Sequence, residues 1–226
     1  MKIAVFGTGT AGPMLAGALS ALGHDVVIGT RDPQVTLART EPGAMGGPPF
    51  AAWHAAHSRI DVATFADAAA RADIVVNATN GGGSLKALTA AGAENLAGKV
   101  LMDVANPLDL SRGFPPSLNP VNTDSLGEQI QRAFPEARVV KTLNTMTASV
   151  MVDPGSVAGG DHSVFVSGND GAAKEIVSGL LTDLGHRDII DLGDITTARG
   201  AEMILPLWLR IWGALGTGSF NFKLAR

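Results

Sequence analysis

The first residues whose types and spacing could do chemistry form a glycine-rich turn near the start of the chain. The apolar run of residues 3–6 breaks into Gly-Thr-Gly-Thr-Ala-Gly at positions 7–12. Between a strand and a helix, Gly7 permits a tight turn, Gly9 lets backbone approach a diphosphate, and Gly12 allows close helix–strand packing. Unpaired N–H groups at the helix start attract phosphate oxygens. We predict a dinucleotide site made by Gly7, Thr8, Gly9, Thr10, Ala11 and Gly12; the alternative is a plain strand-to-helix turn.

The second apolar run ends in a basic residue where many dinucleotide-binding proteins carry an acid. The sequence there is Gly-Thr-Arg-Asp, at positions 29–32. An acid at this place binds the ribose 2′-hydroxyl of NAD and would repel a 2′-phosphate. Arg31 can pair with that phosphate through a forked, charge-assisted contact, and Thr30 can donate a hydroxyl hydrogen bond. The pattern favours NADP(H). In the alternative, Arg31 is a solvated surface charge and Asp32 is the acid, although Asp32 before Pro33 also predicts a helix cap.

Polar side chains follow three further apolar runs. Ligands of an open parallel sheet lie beyond the carboxyl ends of its strands. We therefore expect further cofactor-binding residues in these three loops: Asn77, Ala78, Thr79, Ala105, Asn106, Asn144, Thr145 and Met146. Their amides and hydroxyls carry no charge, so we expect them to position a ligand; the alternative for each asparagine is turn formation or capping. Asp103 is expected to be a strand residue with local hydrogen bonds.

No catalytic or metal-ligating residue is predicted. His54 and His57 have a metal-ligand spacing, but no third ligand is evident nearby. The chain has no cysteine and no tyrosine, which excludes thiol nucleophiles, disulfides and a tyrosine proton donor. Hydride transfer between a nicotinamide and a second redox ring does not need such catalytic side chains, because it depends on close approach of the two rings and on exclusion of water.

Strands that alternate with helices must position these residues. We predict an α/β, doubly wound, mostly parallel sheet of the Rossmann NAD(P)-binding type. Its strands are expected at 3–6, 26–28, 61–63, 73–77, 99–104, 138–143, 163–167 and 188–191. Helices are expected between them, including 171–184, and residues 41–59 are expected to form a loop and a short helix.

The predicted division of the chain is an NADP-binding Rossmann domain, 1–150, followed by a smaller part, 151–226. That part comprises a strand-helix-strand unit and an apolar helical segment, 197–215, which is interrupted by Pro206 and packs on the core. This segment could pack on the core, line a pocket or form a dimer interface, and the sequence does not choose among these roles.

Composition excludes several classes of protein. The chain has 226 residues, of which 46% are hydrophobic, and a formal net charge of −4. It lacks a basic run, so we expect no nucleic-acid partner. We also expect no secretory leader, and the sequence contains no apolar stretch of the roughly 20 residues needed to span a bilayer. We expect a cytoplasmic protein with no membrane association.

Five motifs together are similar to those of the coenzyme F420-dependent NADP oxidoreductase family. They are FGTGTAG, VVIGTRDP, VVNAT, DVANP and VVKTLNTM, and the similarity extends over essentially the whole chain. The resemblance implies NADPH along residues 7–12, with Thr30 and Arg31 at its 2′-phosphate. It also implies a deazaflavin (F420) or flavin ring stacked on the nicotinamide near residues 144–147 and the C-terminal helices, and a homodimer. The Pro/Gly-rich insert at 41–59 and the Thr-Met-Thr at 145–147 depart from the archaeal members.

Hydride transfer between NADP(H) and a second redox ring, most favourably F420, is therefore the leading hypothesis. Asn106, Asn144, Thr145 and Met146 are expected on the nicotinamide side as positioning groups. One alternative is an NADPH-dependent reductase of flavin, ferric chelate, imine or carbonyl, which would need a proton donor. The other is a non-enzymatic NADPH-binding regulatory protein.

Overall fold

The computed structural model describes residues 1–43 and 47–226. Its strands are β1 (Lys2–Phe6), β2 (Asp25–Thr30), β3 (Asp61–Thr64), β4 (Ile74–Asn77), β5 (Val100–Asp103), β6 (Leu108–Asp109), β7 (Ser117–Leu118), β8 (Arg138–Thr142), β9 (Ser163–Gly168) and β10 (Asp188–Asp191). Its α-helices are α1 (Ala11–Ala21), α2 (Pro33–Leu37), α3 (Phe50–Ala56), α4 (Phe65–Arg71), α5 (Gly81–Ala91), α6 (Ala93–Leu96), α7 (Leu126–Ala133), α8 (Ala148–Val152), α9 (Gly171–Asp183), α10 (Ala198–Met203) and α11 (Leu205–Leu215).

Eight of these strands form one sheet in the order β10-β9-β8-β5-β4-β1-β2-β3. The pairs among β1 to β5 and between β5 and β8 are parallel. Strand β9 is antiparallel to β8, and β10 is parallel to β9. The predicted mostly parallel, doubly wound sheet is confirmed. The chain builds outward from β1 in one direction through β2 and β3 and then in the other from β4, so the switch point lies between β1 and β4, where a ligand crevice is expected.

The central strand β1 is apolar throughout because both of its faces are buried. Ile3 and Val5 belong to one core cluster, which includes residues of α1, α8 and α9. Ala4 and Phe6 belong to a second cluster, which includes residues of α4, α5 and α7. Helices thus cover both faces of the sheet.

The eight predicted strands are all present, with ends that differ by at most two residues. The short helix expected within 41–59 is α3; residues 44–46 of the expected loop lie outside the described residues. The helical tail is interrupted as expected, since α10 ends before Ile204 and Pro206 occupies the first turn of α11. The small ribbon β6–β7 was not predicted, because two-residue strands leave no periodic pattern.

After α11 the chain returns to the sheet. The Ser163 amide at the start of β9 donates to the Phe222 carbonyl at 2.9 Å, and the Thr147 hydroxyl donates to the Gly218 carbonyl at 3.1 Å. None of the helices in the described ranges has the length and apolar character needed to cross a membrane.

Candidate dinucleotide and redox-partner site

The glycine turn joins β1 to α1 at the switch point, and its three glycines meet different surroundings. Gly7 has a φ of +116°, and a Cβ there would lie 2.4 Å from the Ala78 carbonyl oxygen. A Cβ on Gly12 would lie 1.9 Å from the Gly7 carbonyl oxygen. A Cβ on Gly9 would meet no protein atom within 4 Å. Gly7 and Gly12 are therefore required by the turn itself, whereas the space at Gly9 is open to a ligand.

The N-terminus of α1 retains its capacity to bind an anion. Thr10 occupies the capping position, but its side chain makes no capping hydrogen bond, and the first turn contains no acidic residue. Thr10 and Gly9 are exposed, and Ala11 is half-buried. The first N–H groups of the helix and its positive dipole end therefore face a surface without a competing carboxylate.

The end of β2 places the two predicted 2′-phosphate residues in different environments. Arg31 is exposed. Thr30 is buried, and its hydroxyl lies 2.9 Å from that of Thr36 in α2. Asp32 accepts a hydrogen bond from the Val35 amide at 3.0 Å, so its predicted role as the cap of α2 is confirmed. The guanidinium of Arg31 is thus the accessible positive charge here, and the Thr30 hydroxyl already has a partner.

A second arginine reaches the glycine turn, and the sequence did not indicate it. Arg39 follows α2, and its Nη1 donates to the Thr8 hydroxyl at 3.1 Å while Nη2 donates to the Thr8 carbonyl. Its guanidinium carbon lies 5.4 Å from the centroid of the Phe50 ring, at the start of α3. No sequence motif surrounds this arginine, so its contact with Thr8 could not be predicted.

The loop after β4 is organised by Asn77, which is fully buried. The Asn77 Nδ2 donates to Asp103 Oδ1 at 2.8 Å and to the Ser84 hydroxyl at 3.1 Å. The Thr79 hydroxyl donates back to Asn77 Oδ1 at 2.6 Å. The side chain of Asn77 therefore shapes the loop, as in the turn-forming alternative, and half-buried Ala78 and Thr79 lie at the surface edge beside Gly7.

The loops after β5 and β8 meet although they are far apart in the chain. Asn106 Nδ2 donates to the Asn144 carbonyl at 2.8 Å, and Asn144 Nδ2 donates to Asn106 Oδ1 at 3.0 Å. Asn144 Nδ2 also donates to the Ala201 carbonyl of α10 at 3.0 Å. Leu143, just before this pair, has a φ of +58°, which is uncommon for a residue other than glycine. The structure thus brings Asn106 and Asn144 together at the carboxyl edge in a constrained turn.

The other predicted residues of these loops are more enclosed. Ala105, Asn144, Thr145 and Met146 are all at least nine-tenths buried, whereas Asn106 is half-buried. Asn106 therefore offers the accessible amide of the group. The side chains of Ala105, Thr145 and Met146 have little exposed surface.

Beneath this edge lies a buried charged cluster of Lys141, Asp103 and Glu202. Lys141 Nζ is 2.8 Å from Asp103 Oδ2 and 2.8 Å from Glu202 Oε1, and it also donates to the Ala105 carbonyl. Burial lowers the pKa of Lys141, but the two carboxylates outweigh burial and raise that pKa above its ordinary value, so the amine stays protonated. The local bond expected for Asp103 is present, since its Oδ1 accepts from the Ala105 amide at 3.2 Å, but its other partners, Asn77 and Lys141, are distant in the sequence. The sequence did not indicate roles for Lys141 and Glu202; the available signal was a lysine directly after the two valines of β8.

The remaining negative charge of this cluster is offset by a helix. Glu202 accepts the Leu126 amide at 2.9 Å and the Gly127 amide at 3.1 Å, at the N-terminus of α7. The positive end of the helix dipole favours a carboxylate there. The cluster thus joins β5, β8, α7 and α10 below the Asn106–Asn144 pair.

The histidines of the insert contact backbone. The His54 ring nitrogen lies 3.0 Å from the Ile60 carbonyl, and that of His57 lies 2.8 Å from the Trp53 carbonyl. Among the described residues, no group of three or more histidine, aspartate or glutamate side chains is arranged to hold a metal ion.

A glycine turn at the switch point, an uncapped helix start and amide-lined loops at the same sheet edge define a Rossmann-type dinucleotide-binding protein. A profile described as "NADP oxidoreductase coenzyme F420-dependent" matches residues 2–107. A solved structure from Arthrobacter sp. FB24, with the provisional assignment of F420-dependent NADP-reductase, is 70% identical over 100% of both chains, with a TM-score of 0.95. The chain belongs to the coenzyme F420-dependent NADP oxidoreductase family, which confirms the resemblance of its motifs.

Two archaeal proteins, each named F420-dependent NADP reductase, are more distant. The one from Methanocaldococcus jannaschii is 29% identical over 129 residues, and the match spans 55% of this chain and only 57% of that protein. The one from Methanothermobacter marburgensis is 27% identical over 217 residues, which are 93% of this chain and 92% of that protein.

Proposed function

We propose that the protein is an oxidoreductase that transfers a hydride between NADP(H) and the deazaflavin coenzyme F420. The observation that carries the proposal is the open position at Gly9, at an uncapped helix start, together with the exposed Arg31 that follows β2. Membership of a family whose relatives are named for NADP and F420 supports the pairing of these two cofactors.

The residues at the glycine turn fit a dinucleotide diphosphate. The proposed contacts are the backbone of Gly7, Thr8, Gly9, Thr10, Ala11 and Gly12, with Arg31 at the 2′-phosphate. Thr30 would contribute by holding α2 through Thr36, so that Arg31 is presented at the end of β2. Asn77 would fix the loop that carries Ala78 and Thr79 to the adjacent wall.

The proposed nicotinamide side is the edge formed by Ala105, Asn106, Asn144, Thr145 and Met146. The nicotinamide would supply or accept the hydride, and the deazaflavin would be its partner. Asn106, held by Asn144, would orient the ring through its amide, and the buried loops would exclude water. Lys141, Asp103 and Glu202, which lie beneath this edge, are buried and paired with one another. That arrangement suits direct hydride transfer, which needs no side-chain acid or base.

We further propose the division of labour, oligomeric state and location predicted from the sequence. Residues 1–150 would bind NADP(H), and residues 151–226 would complete the site through α10 and the returning tail. A second copy of the chain is proposed to cover α11, where Leu207 and Leu215 are 56% and 60% exposed. Leu207→Glu should then shift the sedimentation coefficient from dimer to monomer. The cytoplasm is the proposed location.

The test of the function is an acceptor panel with the purified chain. NADPH oxidation would be followed with F420, FMN, a ferric chelate, an imine and a small carbonyl. Turnover with F420 far above the others is the expected result. Turnover with another acceptor would replace the redox partner. Tight NADPH binding without turnover on any acceptor would instead indicate a regulatory protein.

A further inference from the structure

We propose that Arg39 is a second phosphate-binding residue for the dinucleotide, held at the glycine turn by α3 of the insert. This inference rests on the proposed binding of NADP(H). It assigns a role to a cation and to an insert for which the sequence motifs provide none.

The side chain of Arg39 is presented to the turn from two directions. Its backbone amide donates to the Thr36 carbonyl, and its carbonyl accepts from the Ala51 amide at 3.1 Å, so the residue is fixed between α2 and α3. The Phe50 ring lies 5.4 Å from the guanidinium carbon, within the range of a cation–π interaction. The backbone and the ring together direct the guanidinium toward Thr8.

The contacts with Thr8 leave Arg39 able to bind an anion. Arginine carries five N–H donors, and the two bonds to Thr8 use Nη1 and Nη2 once each. No carboxylate of the described residues forms an ion pair with Arg39 at 4 Å or less, although such pairs occupy Arg132, Arg199 and Arg226. Its charge is therefore available to a phosphate.

A small cleft adjoins Arg39, and the guanidinium supplies its positive charge. It has a volume of about 110 Å³ and lies between the glycine turn and α3. Its described lining has one charged side chain, Arg39, and otherwise glycine, hydroxyl and apolar groups, among them Gly9, Thr10, Phe50 and Trp53. The open position at Gly9 adjoins the same cleft, so a phosphate near Gly9 would be within reach of this guanidinium.

The group that Arg39 binds is either the 2′-phosphate or the diphosphate of the dinucleotide, and the choice of ligands distinguishes the two. Isothermal titration of the full-length chain would use NADPH, NADH, 2′,5′-ADP and ADP. Wild type would be compared with Arg39→Met, Arg39→Lys and Arg59→Met. Arg59 is an exposed arginine of the same insert outside the cleft, so its variant matches the change in charge.

We expect Arg39→Met to lower the affinity for NADPH about tenfold or more, because a charge-assisted hydrogen bond is lost. Arg39→Lys should recover part of the loss, and Arg59→Met should behave as wild type. A loss limited to NADPH and 2′,5′-ADP would place the contact at the 2′-phosphate. An equal loss for NADPH and NADH would place it at the diphosphate.

Salt separates a phosphate contact from damage to the turn. Added salt screens a charge–charge contact, so the affinity of Arg39→Met for NADPH should fall less with salt than that of wild type. The inference is overturned if Arg39→Met binds all four ligands as Arg59→Met does. It is also overturned by a weakened variant with the wild-type salt dependence and no rescue by lysine. If wild type itself binds neither NADPH nor 2′,5′-ADP, the proposed function fails instead.

Discussion

Substitution of Gly9 by alanine separates ligand binding from folding more cleanly than any other change in the glycine turn. A Cβ at Gly9 meets no protein atom within 4 Å, and its φ lies outside the left-handed region. The folded chain can therefore accept alanine, and loss of backbone freedom in the unfolded chain would stabilise the variant by about 0.4–1 kcal/mol. The added methyl group occupies the space where a diphosphate would approach the backbone.

The expected cost in binding follows from that space. Lengthening one charge-assisted hydrogen bond to the diphosphate beyond its working distance costs about 1.5–3 kcal/mol, or roughly 10- to 150-fold in affinity for NADPH. Urea denaturation would measure the stability of Gly9→Ala, and isothermal titration would measure its affinity.

Two other glycines serve as controls. Gly179→Ala, on the exposed face of α9 with open space around its Cβ, should gain stability and bind NADPH normally. Gly12→Ala should lose stability, because its Cβ would lie 1.9 Å from the Gly7 carbonyl oxygen. Wild-type NADPH affinity in Gly9→Ala would refute the placement of the diphosphate at this turn.

Three further predictions concern charge. Arg31→Ala should weaken the binding of NADPH by about 10- to 100-fold and leave the affinity for NADH unchanged, as measured by isothermal titration. Equal losses of affinity for both cofactors would contradict the 2′-phosphate assignment. Lys141→Met should lower the free energy of unfolding in urea by about 3–5 kcal/mol, because Asp103 and Glu202 would remain buried without their cation; a loss below about 1 kcal/mol would contradict the pairing. Burial, partly opposed by a bond to the Met151 carbonyl, lowers the pKa of His186, so its stabilising contribution is complete above about pH 6.5 and is lost as the pH falls below that value. Wild type should therefore lose more stability between pH 7.5 and 5.5 than His186→Gln, and equal losses would exclude His186 as the cause.

Local patterns predicted the strands, the glycine turn and the cap at Asp32, because each depends on residues close together in the chain. Runs of apolar residues mark strands that are buried on both faces. The Asp-Pro pair at 32–33 marks a helix start through side-chain capping and the fixed φ of proline. Asn106 and Asn144 were expected at one sheet edge because the carboxyl ends of parallel strands share that edge.

The contacts that could not be predicted join residues distant in sequence. Lys141 finds Glu202 only because α10 packs over the end of β8, and no spacing rule connects the two positions. Arg39 reaches Thr8 only because α3 returns the insert to the turn. The predicted site residues Asn77 and Thr30 were identified by position at strand ends, but their side chains are directed to protein partners. Position along a strand does not determine which partner a hydroxyl or amide will take.

The link between Lys141 and Glu202 has a consequence for how the chain is made. Glu202 follows Lys141 by 61 residues (202 − 141). At a translation rate of about 5–20 residues per second, a nascent chain spends roughly 3–12 s with the lysine synthesised and its second acid not yet added. Throughout that interval Asp103 is the one carboxylate of the cluster that is available to the ammonium, and the first turn of α7 has no carboxylate from α10. The charged cluster below the Asn106–Asn144 pair is therefore completed only after Glu202 has been synthesised, and ribosome-bound chains that stop short of Glu202 should be more sensitive to proteases at β8 than released chains that contain it.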